Sequence, residues 1–207
     1  MTSPSSSSRV ANLPGALLRA AGTLVGVVLP YLVAVLVWIV AAPRAELLSV
    51  GNGRGIRLVD SGVDGGSQLL ILVILFIFAT VCAALVLWHR HPRLRRPGGV
   101  VVLALVPGLV CSIAAANATR VADLLASPPP DAPYGVVVAQ APAVGALFFD
   151  RLIYGESGPS WDWLPPGAGW LVLGAMIAAF TVALLAYFSD SPGLVGEAAA
   201  EDPSWAA

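Results

Sequence analysis

The sequence predicts an all-α membrane protein, a bundle of four transmembrane helices with a small, partly β cap outside the membrane. Its 207 residues are 57% hydrophobic and only 11% charged, whereas soluble proteins are about 25% charged. Four windows free of charge and histidine reach the about 20 residues that cross a bilayer core. An arginine-rich turn separates the second window from the third. These three observations together favour a multi-pass membrane domain.

The four apolar windows divide the chain into helices, loops and tails. The helices are predicted over residues 20–42, 69–88, 98–119 and 167–188. The connections are two outer loops and one inner turn, at 43–68, 120–166 and 89–97. The tail 1–19 opens on small and polar residues, and the tail 189–207 mixes Pro, Gly, Ala and acidic residues without a periodic apolar face. We therefore expect both tails to be disordered.

A fifth uncharged window, residues 132–149, contains too much proline and glycine for a lipid-exposed helix. Its YGVVVA stretch is typical of a strand. Asn52–Gly53 predicts a hairpin turn between short strands at Ser49–Val50 and Ile56–Val59, which the YGVVVA strand would join.

The stretch AVGALFFDRLIY follows the predicted third strand. Apolar residues recur in it at helical spacing, which predicts a short helix on the membrane surface or against the bundle. The residues of that apolar face are Val144, Leu147, Phe148 and Leu152.

The turn between the second and third helices predicts the orientation in the plasma (inner) membrane. It has the highest density of basic residues in the chain, so it is expected to stay in the cytoplasm, and both termini with it. The residues predicted to set topology and contact lipid headgroups are Arg90, Arg93, Arg95 and Arg96. Aromatic residues near helix ends are expected in the interface, namely Trp38, Trp88, Trp170 and Tyr187.

Small residues spaced four apart predict where the helices pack, because helix association in lipid depends on close backbone approach. In the first helix they are Gly22 and Gly26, for which a dimer contact is the alternative. In the third and fourth helices the predicted packing residues are Gly108, Ser112, Ala116, Ala175 and Ala179.

The four windows contain no ionisable side chain apart from cysteine and tyrosine. Proton relays, ion pumps and voltage sensors use intramembrane ionisable groups, so these classes are disfavoured. His89 and His91 lie two apart with no nearby Cys, Asp or Glu, which makes an incomplete metal site. We expect no catalytic residue, cofactor or metal, and no nucleic-acid partner, because a single short basic turn offers too small a surface.

The outer loops offer an interaction surface. Its predicted residues are Tyr134, Gln140, Asp150, Arg151, Tyr154, Trp161 and Trp163. The leading hypothesis is a non-enzymatic accessory or interaction protein, whose cap contacts another membrane or envelope protein beside the lipid bilayer. The alternative is a carrier or channel for a lipid or apolar solute, with a groove at Pro30, Pro107 and Asn117. An outer-face enzyme using the Asp150 and Glu156 carboxylates beside Trp161 is a third hypothesis.

The order of features resembles an actinobacterial, largely mycobacterial, family of small membrane proteins known as domain of unknown function 2567. The similarity covers roughly residues 20–194, and its motifs are RLVDSGVDGG, WHRHPRLRR, VVVAQAPAVGALFF and FSDSPGL. Ser189-Asp190-Ser191 departs from the family pattern, which has a basic residue beside these acids. The resemblance implies an actinobacterial membrane protein, and the leading hypothesis places its partner in the cell envelope or the respiratory chain. The resemblance implies no activity and no cofactor, and it assigns no role to any residue.

Overall fold

The structure is a computed structural model that describes residues 13–51, 54–57, 65–127, 132–145, 147 and 167–189. These ranges contain four long helices and one three-stranded sheet. The helices are α1 (Leu13–Ala41), α2 (Gly65–Arg90), α3 (Pro97–Ala126) and α4 (Ala168–Tyr187). The strands are β1 (Glu46–Gly51), β2 (Arg54–Arg57) and β3 (Val137–Ala139). A single 3-10 turn, Pro92–Leu94, joins α2 to α3.

All four helices are long and apolar enough to cross a membrane. Only 33% of each apolar window is buried inside the bundle. Large apolar side chains such as Leu24, Leu105 and Phe180 point outwards instead. An apolar exterior of this extent suits hydrocarbon rather than water. The predicted four-helix membrane fold is therefore confirmed.

α1, α2 and α3 are longer than the apolar windows predicted, whereas α4 is one residue shorter at each end. α1 begins at Leu13 rather than at residue 20, so residues 13–19 of the predicted disordered tail are helical. α3 continues to Ala126, past Arg120 and Asp123. The physical reason is that a charged residue ends the part of a helix that lies in hydrocarbon, but it does not end the helix. Residues 1–12 and 190–207 lie outside the described residues.

The centre of the bundle is a buried hydrogen-bonded group around Tyr31. The Tyr31 hydroxyl on α1 lies 2.9 Å from Oγ1 of Thr80 on α2 and 3.0 Å from the carbonyl oxygen of Pro107 on α3. The Thr80 hydroxyl donates to the carbonyl oxygen of Phe76 at 2.7 Å. One tyrosine thus connects three helices within the membrane.

An aromatic chain carries this contact to the fourth helix. The ring of Phe76 meets Tyr31 edge to face at 5.7 Å and Trp170 of α4 at 5.3 Å between centroids. Such edge-to-face pairs are favourable beyond the area that they bury. Trp38, Trp88 and Trp170 are all buried among the helices, and their position at the depth of the membrane interface stays a prediction. Periodicity near a helix end does not show which neighbour the ring meets.

α3 and α4 pack most closely at two glycines. A Cβ on Gly108 would lie 2.8 Å from the carbonyl oxygen of Leu171, and one on Gly174 would lie 2.8 Å from Cα of Gly108. Ser112 donates a hydrogen bond of 2.9 Å to the carbonyl oxygen of Gly167, which precedes α4 with a φ of 101°. The backbones of α3 and α4 therefore touch directly.

The predicted stripes of small residues lie only partly on the observed contact between α3 and α4. Gly108 and Ala175 do meet, whereas Ala116 is exposed and Ala179 only half-buried. The buried side of α4 instead includes Gly174, Ala178 and Val182. Residues spaced four apart drift by about 40° per step on a helix with 3.6 residues per turn. A long stripe therefore leaves the interface.

The sheet has the order β2–β1–β3, and both pairs are antiparallel. The predicted hairpin and the predicted third strand are confirmed, although Asn52 and Gly53 lie outside the described residues. Residues 141–145 form no regular helix, so the predicted short helix does not include Val144. Leu147 is buried, and Phe148 and Leu152 lie outside the described residues.

We expect Gly174→Ala to destabilise the bundle by about 1–3 kcal/mol, because the added methyl meets backbone that cannot move aside. The matched control is Gly98→Ala, since a Cβ there meets nothing within 4 Å and alanine favours helix. Thermal unfolding in mild detergent measures both variants. Equal unfolding midpoints for the two would contradict the close α3–α4 contact.

Candidate functional site: the sheet end of the bundle

The bundle has two chemically different ends. The sheet end comprises β1–β3 with residues 132–145, and the ends of α1, α2 and α3 that adjoin them. The arginine-rich end comprises the turn at residues 91–96 with the adjoining ends of the helices.

Gln68, in the first turn of α2, fastens the sheet end to the helices. Its buried side-chain Nε2 donates 2.7 Å to the carbonyl oxygen of Pro43, between α1 and β1. Its Oε1 accepts from the backbone N–H of Ala143 at 3.4 Å. The indole N–H of Trp38 donates 2.9 Å to the Gln68 carbonyl oxygen. A single side chain therefore joins the segments on both sides of the sheet.

A second set of bonds ties β1 to the segment around β3. The Ser49 side chain, buried on β1, donates 3.0 Å to the carbonyl oxygen of Ala132. Its backbone bonds to Val136 and Gly135 at 2.8 Å each. Beyond β3, the backbone N–H of Val144 donates 3.1 Å to Oγ1 of Thr119 on α3. The sheet is thus held against α2 and α3.

The face of the sheet opposite Ser49 is apolar and exposed. Leu48 on β1 pairs with Ile56 on β2 and with Val137 on β3, so the three side chains form one row across the sheet. Ile56 is 61% exposed, Val137 is 51% exposed and Leu48 is half-buried. We call this row the apolar row. A contiguous row of exposed apolar side chains is typical of a binding surface.

The outer edge of β3 has free backbone groups. The backbone N–H of Ser49 donates to the carbonyl oxygen of Val136, and the N–H of Gln140 donates to the carbonyl oxygen of Ala45. In this segment the backbone N–H and C=O groups of the even-numbered residues therefore face β1. By the alternation of an antiparallel ladder, the N–H and C=O groups of Val137 and Ala139 point to the opposite edge. No hydrogen bond to these groups exists within the described part of the chain. β3 therefore presents an open edge beside the apolar row.

Two residues of the predicted interaction surface flank β3. Tyr134 is 80% exposed and Gln140 is also exposed. The other predicted members, Asp150, Arg151, Tyr154, Trp161 and Trp163, lie outside the described residues, as does Glu156.

At the arginine-rich end, the turn is held by its own side chains. The Arg95 guanidinium donates to the carbonyl oxygen of Trp88 at 3.0 and 3.2 Å and lies 4.9 Å from the centroid of the Trp88 ring. His91 Nε2 lies 3.3 Å from Oγ1 of Thr23. Arg90, Arg93 and Arg96 are exposed. Arg95 and His91 thus stabilise the turn rather than point to solvent.

The predicted packing glycines of α1 face α2. A Cβ on Gly26 would lie 2.9 Å from Val86, and one on Gly22 would lie 2.7 Å from the Arg90 guanidinium. Both glycines therefore make contacts inside the chain.

The residues of the predicted groove do not share a surface. The Pro107 carbonyl oxygen binds Tyr31 in the core, and Pro30 is half-buried. Asn117 is exposed and donates 2.8 Å to the carbonyl oxygen of Ile113 on its own helix. Asn117 lies about 15 Å further along α3 than Pro107 at 1.5 Å per residue.

Two residues that organise the structure, Tyr31 and Gln68, are absent from the predicted sites. A tyrosine in the middle of an apolar helix must place its hydroxyl on a partner, because water is not available there. Gln68 directly precedes an apolar window, where an amide is positioned to bind loop backbone. These two features of the sequence are the signals that could have identified Tyr31 and Gln68. The described residues hold no group of three His, Cys, Asp or Glu side chains.

Comparison with protein-family models, with curated proteins and with solved structures gives no match.

We expect Gln68→Ala to loosen the sheet end by about 1–3 kcal/mol, because the Ala143 N–H and the Pro43 carbonyl lose a buried partner. Hydrogen exchange followed by mass spectrometry should show faster exchange over residues 141–145 and β1, with α4 unchanged. Gln140→Ala is the control, since that side chain is exposed. Wild-type protection in Gln68→Ala would show that this side chain does not fasten the sheet.

Proposed function

We propose that this chain is a non-enzymatic accessory or interaction protein of the plasma membrane, whose sheet end binds another membrane or envelope protein. The observation that carries this proposal is the open edge of β3 beside the apolar row. Native proteins cover or charge such edges because an open edge pairs with other chains. A partner strand added at β3 would use the free groups of Val137 and Ala139.

The orientation follows from the arginines. The positive-inside bias puts the arginine-rich end and both termini in the cytoplasm, and the sheet end on the outer side. The partner is then a protein exposed at the outer surface of the membrane. We propose that this partner is a component of the cell envelope or of the respiratory chain.

Binding suits the chemistry of the sheet end better than catalysis does. The carboxylates among the described residues are Glu46 and Asp123, both exposed. No histidine, lysine or cysteine accompanies them in the described part of this end. Acid–base catalysis needs groups held within hydrogen-bond reach in tuned environments. An exposed apolar row beside an open strand edge meets the needs of a docking surface instead.

A photocrosslinking experiment in native membranes tests this proposal. A benzophenone amino acid replaces Tyr134 at the sheet end, or Tyr187 at the other end as a control, since the two are 80% and 81% exposed. We expect a discrete protein adduct from position 134 and none of that mass from position 187. An adduct with twice the mass of this chain would indicate self-association and would overturn the proposal that the partner is a different protein.

In the same assay, we expect Val137→Pro to reduce the position-134 adduct at least tenfold. Proline removes the N–H at the open edge but leaves the bonds to β1 intact, since those use even-numbered residues of this segment. Val137→Thr, which keeps both the N–H and the β-branched shape, is the matched control and should retain the adduct. Equal adduct yields from the proline and threonine variants would exclude strand addition at β3.

A further inference from the structure

We propose that the arginine-rich end binds the phosphate group of an anionic membrane lipid, in a notch between α1 and α2 formed by Gly22 and Arg90. This inference is independent of the proposed function, because it concerns the opposite end of the bundle and a different class of ligand.

The notch exists because residue 22 has no side chain. Arg90 is the last residue of α2, and its Nη1 lies 2.7 Å from the position that a Cβ of Gly22 would occupy. The guanidinium therefore rests directly against the backbone of α1. Any larger residue at position 22 would displace it.

Arg90 has no counter-charge in the described part of the chain. No hydrogen bond or ion pair of its side chain exists there, and the described carboxylates, Glu46 and Asp123, belong to the sheet end. Five described arginines lie at this end, namely Arg19, Arg90, Arg93, Arg95 and Arg96. A group of basic residues near a membrane surface attracts anionic lipid, with each residue contributing about 1 kcal/mol to binding.

Neighbouring side chains hold the notch in place. His91 contacts Thr23 of α1, next to Gly22. Arg95 is engaged with the Trp88 carbonyl and ring. These contacts position the end of α2 against α1, so that Arg90 is presented by a fixed turn and its guanidinium keeps donors for a phosphate.

The depth of the notch favours a lipid over a dissolved anion. Gly22 lies inside the apolar window Leu17–Ala41 of α1. Leu18 and Val25, one turn to either side of Gly22, are exposed apolar side chains. An arginine at such a helix end extends its charge into the headgroup layer, with its alkyl stem along apolar surface. A lipid places its phosphate at this level and its acyl chains beside Leu18 and Val25.

One intramolecular competitor is present in the sequence. α4 ends at the arginine-rich end, and the residues that follow include four carboxylates, Asp190, Glu197, Glu201 and Asp202. A variant truncated after Ser189 separates this competitor from the lipid.

Native mass spectrometry of the full chain in mild detergent tests the proposal, with an equimolar mixture of phosphatidylglycerol and phosphatidylcholine. We expect the wild type to retain phosphatidylglycerol preferentially. Arg90→Gln should weaken that retention about fivefold, whereas Arg120→Gln, which removes the same charge from an exposed position at the sheet end, should not. Gly22→Leu should weaken it without any change of charge, whereas Gly98→Leu, at an open position of the same end, should not.

Three results would overturn the lipid notch. The first is equal retention by Arg90→Gln and the wild type, or an equal loss in Arg120→Gln. The second is full displacement of the lipid by millimolar inorganic phosphate, which indicates a site for a dissolved anion. The third is retention of phosphatidylglycerol only after truncation at Ser189, which identifies the acidic tail as the occupant.

Discussion

Within hydrocarbon, apolar helices gain little by exchanging lipid for one another, so their association depends on close packing and on hydrogen bonds. The Tyr31 hydroxyl lies within hydrogen-bonding distance of two other helices at once, with its single proton shared between Oγ1 of Thr80 on α2 and the carbonyl oxygen of Pro107 on α3. The edge-to-face contacts of Phe76 extend this group to Trp170 of α4. The positions of all four helices, and hence of both ends of the bundle, depend on this centre.

The Tyr31 centre also decides what the two intramembrane prolines do. A proline removes a backbone hydrogen bond and often marks a hinge in a membrane helix. Here the carbonyl of Pro107 accepts from Tyr31, and the neighbouring Gly108 is in backbone contact with α4. A helix held on two sides at its proline is a fixed element. This geometry supports a bundle that presents surfaces at its ends rather than one that opens a path through its middle.

The sequence predicted the number of helices, the hairpin and the third strand, because apolar windows, Asn52–Gly53 and the YGVVVA stretch act locally. It did not predict the helix ends at Leu13 and Ala126, since charge limits the membrane segment and not the helix. It also missed Tyr31 and Gln68, because their hydrogen-bond partners are distant in the sequence. The partners of Tyr31 lie 49 and 76 residues away, and those of the Gln68 side chain lie 25 and 75 residues away. Of the candidate site, Tyr134 and Gln140 were anticipated, but the apolar row was not. That row depends on the register of three strands, which side-chain alternation alone does not determine.

α2 connects the two proposed surfaces. Its first turn contains Gln68, which fastens the sheet, and its last residue is Arg90, which lies in the notch against Gly22. Its 26 residues span about 39 Å at 1.5 Å each, close to the about 40–45 Å of a bilayer with its headgroups. In the proposed orientation, this single helix would place Arg90 in one headgroup layer and the sheet at the opposite surface. Tyr31 binds α2 through Thr80, between these two ends. A lipid bound at Arg90 would therefore help to fix the distance from the membrane surface at which β3 meets a partner.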